Sequence, residues 1–257
     1  MTDTATYPPA ISPGSAGENA LSIDRAAVAA AVDALQSTAP RVHALVSSVA
    51  QPFLANVAAA LSVDISMTLD PVDVRAMVLR SDATLVNLGM FDRTRREAVE
   101  SALATGCPFV LDPVKVERAP DRMAFARSVL AKGPRVVKGN AAEMAALGPP
   151  RTGVAVTTGV YDVIECADRR VVLKNGDVML DRVIATGCLA GLLVAAMSCV
   201  ARDPFVAAVA GVGLLNVAGE VAATTARGPG SFAVALIDAV ATLDGATVAR
   251  RLVGEDG

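Results

Sequence analysis

Short β-branched and apolar runs alternate with helix-favouring runs along most of this chain, and that alternation restricts its fold more than any single motif. Ser22–Gln36 predicts a first helix with Ser22 or Asp24 as its cap. Arg41–Val46 reads as a short strand, Pro52–Leu61 as a helix and Asp64–Thr68 as a strand. Pro71–Arg80 reads as a helix capped by Asp70, with proline at its first turn. Next come a strand at Ala83–Leu88 and a charged amphipathic helix at Arg93–Thr105. Phe109–Asp112, Arg135–Val137 and Val154–Thr157 are apolar strands, with Arg122–Ala131 helical between the first two. The rhythm then changes. Asp162–Ala167, Arg170–Leu173 and Val178–Val183 predict antiparallel strands, joined in part by the turn Lys174-Asn175-Gly176-Asp177. The remainder is mostly helical, and no internal repeat is visible. Parallel βαβ units, an antiparallel edge and a helical finish together predict a three-layer α/β/α fold around a mostly parallel central sheet.

Such a sheet must be covered by closely packed small side chains, because 53% of the residues are hydrophobic and only 3% aromatic. Within 257 residues nothing marks a domain boundary, so 22–257 reads as a single domain. Residues 1–21 read as a flexible tail, since Met1–Asn19 is rich in Pro, Ser, Gly and Thr and lacks the basic start and apolar core of a signal peptide. A net charge of -3 gives no electrostatic reason to expect a nucleic acid or an anionic membrane as partner. Cys107, Cys166, Cys188 and Cys199 are scattered without metal-site spacing and read as reduced thiols of a cytoplasmic protein. The most apolar stretches, Cys188–Ala201 and Pro204–Gly219, fall short of the roughly 20 residues that span a bilayer. They are separated by Arg202-Asp203-Pro204 and read as buried helices.

In an open α/β sheet, ligands bind beyond the carboxyl ends of the strands. Lys138-Gly139-Asn140-Ala141-Ala142-Glu143 follows the strand at Arg135–Val137, and Asp112-Pro113 ends the strand at Phe109. Asp112 and Glu143 thus reach one edge, a pair suited to a hydrated Mg²⁺ carrying phosphates. The structural alternative for Glu143 is a first-turn helix position, where acidic residues are favoured. Ile184-Ala185-Thr186-Gly187-Cys188 opens an apolar helix whose free N–H groups would receive an anion and stabilise a phosphoryl group in transfer. Cys188 lies at that positive end, where a thiol pKa falls. It would orient or deprotonate an acceptor hydroxyl there, unless it is simply a small apolar residue. Thr157-Thr158-Gly159 closes a strand and is either a nucleotide contact or an ordinary turn. Gly228-Pro229-Gly230-Ser231-Phe232 predicts a rigid turn capping the last helix, and His43 reads as a structural histidine.

Taken in order, these residues resemble a known family. Val42-His43, Phe53-x-Ala55-Asn56, Met67, Asn87-x-Gly89, Leu111-Asp112-Pro113-Val114, Gly139-Asn140-Ala141-Ala142-Glu143, Thr158-Gly159-x-x-Asp162, Gly187-Cys188 and Gly228-Pro229-Gly230-Ser231-Phe232 are similar to hydroxyethylthiazole kinases, from about Arg41 to about Leu236. The resemblance implies a ribokinase-like fold and transfer of phosphate from ATP to the hydroxyl of 4-methyl-5-(2-hydroxyethyl)thiazole in thiamine salvage. It implies a homotrimer with the thiazole pocket at a subunit interface. Met67 would contact the thiazole, and Asn56 and Ala185 would shape its pocket. Thr158 and Lys138 would contact ATP, with Asn140 and Gly159 beside them, and Asp112 and Glu143 would organise Mg²⁺. Cys188 would sit at the acceptor hydroxyl, with Ala185, Thr186 and Gly187 completing the anion hole.

The chain departs from that pattern in several places. Ala185 replaces the first glycine of the anion hole, and Lys138 replaces an arginine. Lys115-Val116-Glu117-Arg118 stands in a loop that is normally glycine-rich, and Val46-Ser47 replaces a Thr-Asn pair. Met144–Leu147 and Gly148-Pro149-Pro150 must serve as a crossover where the family has a further helix, leaving one sheet face less covered. Other readings are a kinase for another small alcohol, a non-catalytic ligand-binding descendant and, last, a Cys188–His43 hydrolase.

Overall fold

The computed structural model describes residues 23–256. Ser22 and the expected tail lie outside the described residues, and Asp24 caps the first helix by accepting from the Ala27 N–H at 2.9 Å. Six strands run parallel: β1 (Arg41–Leu45), β2 (Asp64–Ser66), β3 (Ala83–Asn87), β4 (Phe109–Asp112), β5 (Val136–Asn140) and β6 (Val154–Thr158). Three more, β7 (Asp162–Glu165), β8 (Arg170–Leu173) and β9 (Gly254–Asp256), extend one edge antiparallel. The strand order is β2-β1-β3-β4-β5-β6-β7-β8-β9.

Side-chain alternation along the strands builds two cores. Leu85, Val110, Val136 and Val154 face one side, and their neighbours Val86, Leu111, Val137 and Ala155 face the other. The first face is covered by α1 (Arg25–Thr38), α2 (Gln51–Ala60), α7 (Thr186–Val200), α8 (Pro204–Ala223) and α9 (Pro229–Thr242). The second is covered by α3 (Pro71–Val78), α4 (Arg93–Leu103), α5 (Pro120–Leu130) and the short α6 (Ala141–Leu147). A last helix, α10 (Gly245–Arg251), packs on α1. Because α2 leaves β1 across one face and α3 returns to β3 across the other, the strand order reverses beside β1. This is the switch point where such sheets open a crevice at their carboxyl ends.

Four expectations need correction. Val178–Val183 is not a strand: Asp177 accepts from the Met179 N–H at 2.8 Å and starts a 3₁₀ turn over Val178–Arg182. The edge is completed instead by β9 from the far end of the chain, which Asn175 anchors by accepting from the Val253 N–H at 2.6 Å. Next, β5 runs on through Lys138 and Gly139 to Asn140, so these residues belong to a strand end. Third, α8 continues to Ala223, a 20-residue apolar helix of spanning length, and 83% of its most apolar window is buried against the rest of the fold. Finally, the Gly228–Phe232 turn opens α9, after which α10 and β9 still follow.

The crossover from β5 to β6 is as short as its sequence requires. After the seven residues of α6, Gly148–Gly153 returns the chain directly to β6. Beside it opens a cleft of about 520 Å³ lined by Pro149, Pro150, Ala155, Cys166 and Arg169.

His43 behaves as a structural residue. It is buried in β1, and its Nδ1 lies 2.7 Å from the hydroxyl of Ser66, its partner in the β1–β2 register. Burial lowers its pKa to about 4 from 6.5, so the fold favours the neutral ring. A depressed folded-state pKa gives stability that is present above pH 6.5 and lost as pH falls toward 4. Urea unfolding at pH 7 and pH 4.5 is expected to show an acid loss of about 2 kcal/mol more in the wild type than in His43→Gln.

Candidate active site

The carboxyl ends of β3, β4, β5 and β6 converge beneath the first turn of α7. Register pairs Asn87 with Asp112 and Asn140 with Thr158, placing all four on one edge. Asp112 is buried, and its Oδ2 accepts from the Asn87 amide at 2.7 Å. Its Oδ1 lies 3.1 Å from the Lys138 ammonium, which also donates to the Gly187 carbonyl at 3.0 Å. Lys138 therefore ties β4 and β5 to the start of α7. Burial works against its charge, but Asp112 and the neighbouring Cys188 and Glu143 outweigh that, and its pKa rises above the ordinary value. Burial also raises Asp112, with Lys138 opposing it.

Glu143 occupies the third position of α6 and forms a capping box. Its Oε2 accepts from the Asn140 N–H at 2.8 Å, while the Asn140 side chain accepts from the Glu143 N–H at 2.9 Å. The other oxygen, Oε1, accepts from the Lys115 N–H at 2.8 Å, so Glu143 also fixes the loop after β4. Gly139 makes room for this arrangement, because a Cβ there would lie 3.1 Å from Glu143 Oε2. The helix-turn alternative for Glu143 describes its geometry, and that same geometry holds it at the edge with Asp112.

At the start of α7 no side chain caps the helix. Leu189 is the residue whose N–H returns to the Ala185 carbonyl, at 2.8 Å. The N–H groups at Thr186, Gly187 and Cys188 precede the first intrahelical bond and suit an anion. The Thr186 hydroxyl is turned away, donating to the Leu180 carbonyl at 2.8 Å. Ala185 sits at φ 77°, a left-handed conformation that costs an L-residue roughly 1–2 kcal/mol. Ala185→Gly is accordingly expected to raise the melting temperature by about 2–4 °C in a calorimetric scan.

Cys188 is bridged to the cluster by Asn87, whose amide also reaches its Sγ at 3.4 Å. The pKa fall expected from the helix start is reversed. Burial first, then Asp112, pushes the thiol up to about 11. A neutral Cys188 with an amide neighbour, and a His43 bonded to Ser66 instead, leave no Cys–His pair for a hydrolase.

Between the β5 and β6 ends and helices α7 and α8 lies a pocket of about 210 Å³. It gathers Asn140, Thr158, Gly159, Thr186 and Gly187, with Val212 and Leu215 as its apolar side. Lys138 is not part of its lining. Asp162 closes one end: it accepts from the Gly159 N–H at 3.1 Å and from the Asn216 amide at 2.6 Å. Met67 and Asn56 stand outside the hydrogen-bonded cluster. Met67 follows β2 and gives its carbonyl to Gln51 at 3.2 Å, and Asn56 is exposed on α2. Sequence reasoning overlooked Asn87 and Asn216 as functional groups. Their signal was a lone amide at the end of an apolar strand and another within an apolar helix.

The whole arrangement has relatives. Residues 32–152 and 148–245 match the Hydroxyethylthiazole kinase family, the two segments meeting at the shortened crossover. This chain belongs to the hydroxyethylthiazole kinase family. A probable hydroxyethylthiazole kinase of Agrobacterium fabrum is 38% identical over 210 residues, covering 80% of this chain and 85% of that protein. The hydroxyethylthiazole kinase of Cronobacter sakazakii is 35% identical over 237 residues, covering 80% of this chain and 89% of that protein. Among solved structures, the hydroxyethylthiazole kinase protein from Pyrococcus horikoshii superimposes with a TM-score of 0.85 at 25% identity, over 90% of this chain and 98% of that one. A Staphylococcus aureus pyridoxal kinase, in complex with AMP-PCP and pyridoxal, aligns with a TM-score of 0.54 at 14% identity, over 71% of this chain and 88% of that one. The latter likeness establishes the shared ribokinase-like fold. As a member of the hydroxyethylthiazole kinase family, the chain is a phosphotransferase acting on an alcohol group.

Proposed function

We propose that this protein transfers the γ-phosphoryl group of ATP to the hydroxyl of 4-methyl-5-(2-hydroxyethyl)thiazole in thiamine salvage. One observation carries the reading: an uncapped helix start adjoins a polar pocket at the strand ends on one side and the Asn87–Cys188 pair on the other. A phosphoryl group in transit would meet the free N–H groups at Thr186, Gly187 and Cys188, which stabilise its growing charge. Thr158, Gly159 and Asn140 would border the nucleotide in the pocket that they line. The acceptor would lie at the β1–β3 crevice, its hydroxyl near Cys188. Because the thiol is neutral, Cys188 orients that hydroxyl as a hydrogen-bond partner rather than serving as a strong base.

Among the described residues there is no cluster of three or more metal-ligating His, Cys, Asp or Glu side chains. The donor set nevertheless fits Mg²⁺, which keeps several waters and needs one or two carboxylates. Asp112 Oδ1 is buried and meets only the Lys138 ammonium, and each Glu143 oxygen accepts a single N–H. Asp112 and Glu143 would hold the hydrated ion, which when bound neutralises phosphate charge. A homotrimer would place Met67 and Asn56 against a neighbouring subunit's pocket. Exposed Val49 and Met90 at the same edge support such a contact. Four free thiols favour a reducing cytoplasm.

The test is ADP release by the purified protein with ATP and Mg²⁺, with and without hydroxyethylthiazole, followed by mass detection of the phosphorylated product. Thiazole-dependent turnover is expected. Nucleotide binding without thiazole turnover would direct the search to another alcohol, and binding of neither ligand would mark a non-catalytic descendant.

A further inference from the structure

Lys138 is the cation expected to meet the nucleotide's phosphates, yet its ammonium is already held by Asp112 at 3.1 Å and the Gly187 carbonyl at 3.0 Å, and it is buried. A second ammonium stands at the same edge. Lys115 lies in the loop that continues from Asp112, and its N–H donates to Glu143 Oε1 at 2.8 Å. Its side chain is exposed and forms no ion pair among the described residues. The other charges of this loop are engaged, Glu117 pairing with Arg118 at 2.9 Å, and Arg122 from the first turn of α5 donates to the Val114 carbonyl at 2.9 Å. Lys115 also has a φ of 54°, a left-handed conformation unfavourable for a lysine. The fold thus keeps a strained lysine whose backbone is held but whose ammonium makes no hydrogen bond or ion pair among the described residues. Strain of this kind gathers at ligand sites, and Ala185 at φ 77° stands at the same edge.

We infer that Lys115 is the cation that contacts the transferred phosphate chain, its flexible stem carrying the ammonium over Glu143 to oxygens that Lys138 is not free to follow. Lysine suits this role as a mobile point charge for phosphate. The assignment rests on the kinase reading above.

Lys115→Gly, Lys115→Ala and Lys115→Arg are compared with Arg182→Ala, which removes another exposed cation close in sequence to the α7 start. Calorimetry with the Mg²⁺ complex of a non-hydrolysable ATP analogue gives the affinities, adenosine serves as the phosphate-free probe, and melting temperature is read without ligand. Lys115→Gly is expected to melt higher than the wild type yet bind the triphosphate about tenfold more weakly, with adenosine affinity unchanged. Lys115→Ala loses the same affinity without the gain in melting temperature, and Lys115→Arg keeps most of it. Triphosphate affinity that survives Lys115→Gly, or falls equally in Arg182→Ala, overturns the assignment alone. Failure of the wild-type chain to bind the triphosphate overturns the kinase reading and this assignment with it.

Discussion

Lys138→Met is expected to destabilise the protein by about 3–5 kcal/mol and to reduce turnover by at least about a hundredfold. The stability loss follows from burial. Asp112 would lose its counter-ion inside the protein, leaving the Asn87 amide as its sole remaining donor and the carboxyl to be buried either unpaired or protonated. The activity loss has a separate origin, since Lys138 also holds the Gly187 carbonyl and thereby the start of α7. Adding Asp112→Asn to the same chain separates the two effects. The double variant removes the orphaned carboxyl and should recover most of the stability in urea titration while remaining inactive. Recovery of turnover along with stability would show that the pair serves the fold alone.

Glu143→Gln is the second large effect. Both Glu143 oxygens accept backbone N–H groups, from Asn140 and from Lys115. A glutamine has only one carbonyl oxygen, so its NH₂ must oppose one of those donors, at a cost of about 1–3 kcal/mol. Turnover is expected to fall at least about a hundredfold, and the Mg²⁺ concentration for half-maximal rate to rise. Glu143→Asp retains the charge but not the reach, and should lose the capping box while keeping a residual Mg²⁺ response. Unchanged turnover and unchanged Mg²⁺ dependence in Glu143→Gln would remove this carboxylate from the metal site.

The parallel half of the fold was legible because its signals are local. Asp70, with Pro71 after it, starts α3 as read, and apolar runs end in polar residues at Asp112 and Thr158. Val178–Val183 shows where that reading stops. Its apolar pattern suits a strand, but an edge strand needs a free neighbour, and β9 occupies that place from about 80 residues further along the chain. A pairing set by distant residues leaves no mark on the local pattern. The extent of α8 is a related case: its composition fits a membrane span, and the sheet and helices packed around it make it a core helix.

The site divides along the same line. Residue type and spacing alone brought Asp112, Glu143, Thr158 and the Ala185–Cys188 helix start to one edge, because strand ends and helix starts of a parallel sheet must lie there. Spacing could not say which groups remain free to act. Lys138 became a buried clamp once Asp112 and the Gly187 carbonyl enclosed it, and Cys188 became a neutral thiol once burial outweighed the helix start. Lys115 stayed exposed on the same edge. The sequence by itself determined which chemical groups gather, since that follows from local element boundaries. Tertiary packing decided their charge states and their freedom, because desolvation and ion pairing depend on what the rest of the chain places around each group.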